Sequence, residues 1–237
     1  MRKHLIYNQF KDAASFYDSP LGHRTANLIF SNLTTLHPKI VSEHILGIGY
    51  PAPYLASNPN SICARINHGQ TYRSTLRASK ECLISSECLP FDDLSIDTTL
   101  VIHGLEFSHS PANFLRSIWK IMKDDGVLIL VVPNRRSAWA HNDSTPFGHG
   151  TPFSRQQLNN LLKQCFFRTE IYHKALILPP SILSKVSGTF AEKLNQFAVY
   201  PCAGVHIVLA HKNIHAGIPA LKEEKNFSIS RQLIKFA

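Results

Sequence analysis

Apolar positions are densest between residues 98 and 132, and their spacing changes twice within that stretch. Thr98 to Ile102 is a short apolar run that follows the turn-forming residues Leu89-Pro90-Phe91-Asp92-Asp93. Past the loop His103-Gly104-Leu105-Glu106 the spacing becomes helical, with Phe114, Leu115, Ile118, Ile121 and Met122 on one face. Ser110 is expected to cap this helix, its hydroxyl accepting from a first-turn amide. Pro111 then sits at the first position, where no donor is needed. Asp124-Asp125-Gly126 reads as the turn that ends the helix, and Val127 to Val132 is an aliphatic run stopped by Pro133. A strand apolar on both faces belongs inside a covered parallel sheet. Glu87 to Asn134 therefore predicts a βαβ unit.

The flanking pattern extends this unit in both directions. Residues 1–38 read as a helical segment that covers the sheet edge or the mouth of a pocket. In it Ser19 is a cap, Pro20 opens a helix, and Ala26, Ile29, Phe30 and Leu33 form one stripe. His44 to Pro53 is a short strand running into a glycine- and proline-rich turn. Further strands are expected at Ser61–Ile66 and Glu81–Ser85, with Asn67 to Lys80 unassigned. Ser154-Arg155-Gln156-Gln157 is a capping box opening a helix to about Gln164. Phe167 to Leu178 reads as a strand stopped by Pro179-Pro180, Ser181 to Phe197 as a helix, and Gly204 to Ala210 as the last strand. Residues 39–212 form the expected core domain, and residues 213–237 read as a partly disordered tail.

Composition narrows the class. A chain of 237 residues can hold one substantial α/β domain. No apolar segment is long enough to cross a bilayer, and Met1-Arg2-Lys3-His4 is not followed by a signal-type core, which points to a cytoplasmic location. Cys63, Cys82, Cys88, Cys165 and Cys202 fit no zinc spacing and read as reduced, mostly buried thiols. His211 and His215 are four apart but follow a strand-like run, so they read as surface residues and no metal site is expected. The formal charge is +9. Its basic residues are dispersed without interleaved aromatics, which favours a solvated surface over a nucleic-acid stripe.

The central segment, from Leu89-Pro90-Phe91 through Leu105-Glu106 to Pro133-Asn134, resembles class I S-adenosylmethionine-dependent methyltransferases. The likeness is closest to the type 11 methyltransferase-domain proteins of bacteria. Pro133-Asn134-Arg135-Arg136, Thr145 to Gly150 and Pro152-Phe153-Ser154 are similar to a bacterial subgroup of that family, and the resemblance spans about Phe16 to Ala210. It implies a Rossmann-like α/β fold with helices on both faces of a seven-stranded, mostly parallel sheet. Its last strand is inserted antiparallel. It also implies S-adenosylmethionine as cofactor.

The family's first strand ends in an acidic residue and a turn with three alternating glycines. Here Gly47 stands at the acidic position, Gly49 matches the first glycine, and Pro51 and Pro53 replace the other two. Proline fixes φ and removes an amide donor, so this turn cannot offer the same contacts. At the ribose position the chain offers Asn67, and near the adenine Ser85 and Glu87. The implied cofactor-binding set is Gly47, Gly49, Tyr50, Asn67, Ser85, Glu87 and His103.

His103 and His149 are candidates for proton handling, His103 against a packing role beside Phe107. Glu106 reads as a brace for the following helix. Arg135, Arg136, Trp139 and His149, on the loop past Val132, are candidate substrate contacts. Tyr17 is a further candidate, closing from the N-terminal segment, against simple packing. These readings give a methyltransferase acting on an unidentified small molecule or macromolecule. Two rivals are a non-catalytic binding or scaffold protein built on the same fold, and an RNA-binding protein or RNA methyltransferase.

Overall fold

The computed structural model describes residues 13–66, 80–84, 89–186 and 202–214. Residues 13–17 are helical, and α1 (Pro20–Leu36) follows after a short break. Ser19 caps α1, its hydroxyl accepting from Gly22 N–H at 3.1 Å. Then come β1 (Ile45–Gly49), the single-turn α2 (Ala52–Leu55), β2 (Ser61–Ile66) and β3 (Glu81–Ile84). The central unit is β4 (Ile96–Ile102), α3 (Pro111–Ile121) and β5 (Met122–Pro133). The chain continues through α4 (Arg155–Gln164), β6 (Phe167–Ala175), α5 (Pro180–Leu183) and β7 (Val205–Lys212).

The seven strands lie in the order β3-β2-β1-β4-β5-β7-β6. All pairings from β3 to β5 are parallel, and β7 is antiparallel to both β5 and β6. This is the Rossmann-like arrangement expected, including the inserted antiparallel strand. Alternate strand residues point into two separate apolar layers. One layer packs Leu100, Ile102, Ile129 and Val131 against Ile29 and Leu33 of α1, with Tyr17, Tyr50, Tyr54, Trp139 and Phe147 beyond the strand ends. The other packs Val101, Leu128, Leu130 and Val132 against Phe114, Leu115 and Ile118 of α3 and Leu158 and Leu162 of α4.

Several expectations change in the structure. Asp124-Asp125-Gly126 is not a turn outside the strand. The helix stops at Ile121, and β5 runs through these residues as an irregularity, because Ile96 pairs with Met122 while Thr98 pairs with Val127. Met122 is fully buried, which draws the strand start back before the acidic pair. Ser110 stands at the cap position of α3, yet its hydroxyl makes no capping bond. The capping box of Ser154 and Gln157 does form, with both reciprocal bonds present. β6 ends at Ala175 rather than Leu178, because Leu176 takes a left-handed φ of 61° and its carbonyl accepts from Gly204 N–H. Most of the helix expected at Ser181 to Phe197 lies outside the described residues; α5 spans its first turn.

Among the described cysteines, Cys63 and Cys165 are buried, Cys82 is half-buried and Cys202 is exposed, all with free thiols. Burial pushes the Cys63 thiol up to about 12. His211 bonds Glu170 at 2.6 Å, and among the described residues no group of three or more metal-ligating side chains occurs. No described helix is long and apolar enough to cross a membrane.

Candidate functional site

The carboxyl ends of β1 and β4 lie side by side, which is where open α/β sheets leave a crevice for ligands. Gly49 ends β1 with φ +99°, and a Cβ there would lie 2.2 Å from Ile102 O. Only glycine allows the turn to cross this close over β4. Tyr50 N–H donates to Ile102 O at 2.8 Å, and Tyr54 N–H donates to Pro51 O at 2.9 Å. Pro51 is helical at the start of α2, and neither it nor Pro53 has an amide to offer. At Gly47 a Cβ would meet Pro51 Cβ at 2.5 Å and Leu55 Cδ1 at 2.6 Å. The place of the family's acidic side chain is therefore filled by a proline ring and a leucine.

Above this turn lies a buried polar chain. Tyr17, Tyr50, Tyr54, His103 and Glu106 are each at most 2% exposed. Tyr17 Oη lies 2.7 Å from Tyr54 Oη and 2.8 Å from His103 Nε2. His103 Nδ1 lies 3.2 Å from Glu106 Oε1. When a singly protonated His103 donates from Nδ1 to Glu106, its Nε2 accepts from Tyr17 O–H, and the Tyr17 oxygen is then free to accept from Tyr54 O–H. Burial holds the Tyr17 and Tyr54 hydroxyls well above the usual tyrosine range, so both stay protonated. His103 itself takes a left-handed φ of 52°, a conformation a non-glycine residue adopts only when its surroundings impose it.

Rings enclose this chain. Tyr17 stacks on Tyr50 with centroids 5.5 Å apart, and His103 lies 4.7 Å from Phe147. Trp139 meets Phe147 edge-on at 5.4 Å. The loop after β5 thus folds its aromatic residues inward. Trp139 is 1% exposed and donates its indole N–H to Leu178 O at 2.8 Å, so it is a core residue and not part of an open loop surface. His149 is half-buried at the rim, with Nε2 2.9 Å from Asp143 O. Arg135 and Arg136 stay exposed at the start of the loop. His103 packs on Phe147 and Tyr17 rather than beside Phe107.

The structure therefore brings Gly47, Gly49, Tyr50, His103 and Tyr17 together and places Arg135, Arg136 and His149 on the neighbouring loop. Asn67, Ser85 and Glu87 lie outside the described residues. Sequence reasoning missed Tyr54 and Phe147. Tyr54 meets Tyr17 from 37 residues away, and Phe147 meets His103 across the long loop after β5; no local spacing announces such contacts.

A second polar group holds the loop in place. His206 Nε2–H donates to Phe153 O at 3.1 Å, and its Nδ1 accepts from the Tyr172 hydroxyl. Burial lowers the His206 imidazole to about 4, so it is neutral here. Arg155 lies 4.3 Å over the Tyr172 ring.

This sheet order, with its crevice at the β1 and β4 ends, is the class I methyltransferase fold. The family described as the methyltransferase domain (type 11) matches residues 46–130, from β1 into β5. No curated protein matches the chain. Among solved structures, a Thermotoga maritima S-adenosylmethionine-dependent methyltransferase, described as a possible histamine N-methyltransferase, is 19% identical with a TM-score of 0.59. The match covers 80% of this chain and 91% of that one. Methyltransferases of Archaeoglobus fulgidus (15% identity, 79% and 94% covered, TM-score 0.53) and Aquifex aeolicus (13%, 83% and 95%, 0.51) share the fold as well.

Domain and fold together imply S-adenosylmethionine as the cofactor. One observation tests the fit. Glu106 Oε2 is buried and lacks a hydrogen-bond partner among the described residues. A bare buried carboxylate oxygen is unfavourable by roughly 1–3 kcal/mol or more, and it calls for a cation or a donor. The cofactor carries a sulfonium and an ammonium, either of which would answer that charge. The described residues fit the group through the Glu106 carboxylate, while Tyr17 and Tyr50 are buried against each other and the Gly47–Pro53 turn contributes shape without amides.

Proposed function

We propose that the protein transfers a methyl group from S-adenosylmethionine to an acceptor nucleophile. The observation that carries this reading is the methyltransferase-domain match from β1 into β5, a stretch that includes β1 and β4, whose carboxyl ends form the crevice. When bound, the cofactor supplies an electrophilic methyl group on a positive sulfur. Glu106 would hold it by charge. Glu106 also orients His103, which in turn fixes the Tyr17 hydroxyl. Tyr17, Phe147 and Trp139 exclude water, so charge interactions inside are less screened. Methyl transfer needs little beyond such positioning and, for some acceptors, a base. Where the acceptor needs a base, His103 Nε2 is the nitrogen that would take the proton, through the Tyr17 hydroxyl that it bonds.

The test is calorimetric titration of the purified protein with S-adenosylmethionine and with its demethylated product. Micromolar binding is expected, reduced about tenfold or more by Glu106→Gln, the usual scale for losing a charge-assisted contact. Failure of both ligands to bind at millimolar concentration would overturn the proposal. It would favour the rival reading of a non-catalytic protein on this fold, which one observation supports: Pro51 and Leu55 fill the acidic position beside Gly47.

A further inference from the structure

On the other side of the loop that carries Trp139 lies a cavity of about 510 Å³, between the start of α3 and the outer face of α4. That volume is within the roughly 300–1,000 Å³ typical of small-molecule sites. Phe153, which is buried, and Leu161 form its apolar floor and wall. Its polar groups are the Arg135 guanidinium, the His109 imidazole and the carboxamides of Gln157, Asn160 and Gln164. Among the described residues no carboxylate lines it.

Arg135 is held at the mouth by its backbone. Its N–H donates to Phe153 O at 3.1 Å, and Phe153 N–H donates to Pro133 O at 3.1 Å, so the residue is tied to the cavity floor. Among the described residues its guanidinium has neither an ion pair nor a hydrogen bond. The adjoining first turn of α3 is not closed by its own cap residue, because the Ser110 hydroxyl makes no capping bond. The unpaired amides that every helix start leaves favour negative charge beside them.

The charge distribution of the whole sheet points the same way. At the amino edge, Asp93, Asp97 and Asp124 stand before or at the starts of β4 and β5, and they pair with Lys120, Lys123 and Lys212. The lysines there are largely balanced by neighbouring acids. At the carboxyl edge, Arg135 and Arg136 follow β5 and Arg155 opens α4, and none of the three has an acidic partner among the described residues. Asp143 is the one acidic residue between 134 and 153. Along the stretch from Arg135 to Arg155, three arginines therefore stand against Asp143 beside the cavity, and they raise the local concentration of anions.

We infer that this cavity binds a small molecule carrying an oxyanion, a phosphate or carboxylate, on a flat apolar body. Arg135 meets the anion, Phe153 and Leu161 meet the body, and the three carboxamides set its orientation. The wall at Thr151 is bonded to the segment of the polar chain, Thr151 N–H donating to Glu106 O at 2.8 Å. The binding does not rest on the methyltransferase reading; only if that reading holds is this ligand a methyl acceptor.

The experiment is an NMR-detected titration of the full-length chain, without cofactor, using phenyl phosphate, inorganic phosphate and phenol as probes. Phenyl phosphate is expected to bind with a submillimolar constant that weakens as salt is added. Phenol and inorganic phosphate are each expected to bind about tenfold more weakly, since each lacks one of the two recognised parts. Arg135→Gln is expected to weaken phenyl phosphate about tenfold, the scale of one lost charge-assisted contact. Leu161→Trp, which fills the cavity, abolishes binding while the melting temperature shows that the variant folds. If Leu161→Trp does not fold, Arg135→Gln alone decides. Absence of binding to the wild type at about 10 mM, equal binding to Arg135→Gln, or equal binding of phenol or inorganic phosphate would overturn the inference. Calorimetry with S-adenosylmethionine on the same preparation separates the two readings. Cofactor binding without phenyl phosphate binding overturns the cavity's role alone, and the converse overturns the methyltransferase reading alone.

Discussion

Tyr17 is the residue on which the candidate site closes, because its hydroxyl joins two elements that are 86 residues apart in the chain. Removing that hydroxyl leaves His103 Nε2 and Tyr54 O–H without their partner, both in a buried place. Tyr17→Phe is therefore expected to lower stability by about 1–3 kcal/mol, read from urea unfolding midpoints. Glu106→Gln should behave differently. It removes a buried charge whose second oxygen has no partner, so stability should stay level or rise while cofactor affinity falls. Equal losses of stability and affinity in that variant would mean that Glu106 only braces the fold. His206 supplies a pH signature. Its folded value is about 4 against 6.5 for the free side chain, so the unfolded chain takes up the proton first as pH falls. The stabilisation is complete above about 6.5 and is lost as pH drops through about 4. Unfolding midpoints measured across that window should fall in the wild type and fall less in His206→Asn. Parallel curves would exclude His206 as the source.

At the scale of single elements, the two helix starts that look alike in sequence differ in the structure. Ser19 and Ser110 each precede a proline, but only the Ser19 hydroxyl reaches a first-turn amide. Ser19→Ala is expected to destabilise by about 1 kcal/mol, and Ser110→Ala by under about 0.5, in thermal or urea unfolding. The Ser-Pro pair identified both helix starts. The backbone of Ser110, at φ −130° and ψ 86°, then decided that its side chain does not cap. β5 gives the reverse lesson. Its acidic pair and glycine read as a turn, yet the ladder with β4 carries the strand across them because Met122 is buried against the sheet. A local turn propensity lost to a tertiary contact.

For the whole molecule, the same sheet separates two edges of different charge, and ligand binding should act on the entire fold. If S-adenosylmethionine binds only the folded chain, a hundredfold excess over its Kd should add about 2.7 kcal/mol of stability. That corresponds to a rise in melting temperature of roughly 5–10 °C for a domain of this size, measurable by scanning calorimetry. An unchanged melting temperature at that excess would argue against a preformed site. The polarity also bears on the nucleic-acid alternative. A protein that binds RNA through the basic edge should lose affinity steeply with salt, and gel-shift affinity that does not fall would count against that reading.

The central βαβ unit was legible in the sequence because helical and strand periodicities are local, and the aliphatic run Val127 to Val132 requires a covered sheet. The same holds for Ser61–Ile66 and for the helix Arg155–Gln164, whose capping box is written in adjacent residues. The resemblance of the central segment supplied the seven-stranded sheet with its antiparallel last strand, and glycine at position 49 followed from the turn it must make. The sequence alone could place Tyr17, His103 and Glu106 near the crevice, but it could not join them. Nor could it show that Trp139 turns inward while Arg135 stays out. Those outcomes depend on which side chains meet across long loops, and contact at such separations is set by packing rather than by spacing along the chain.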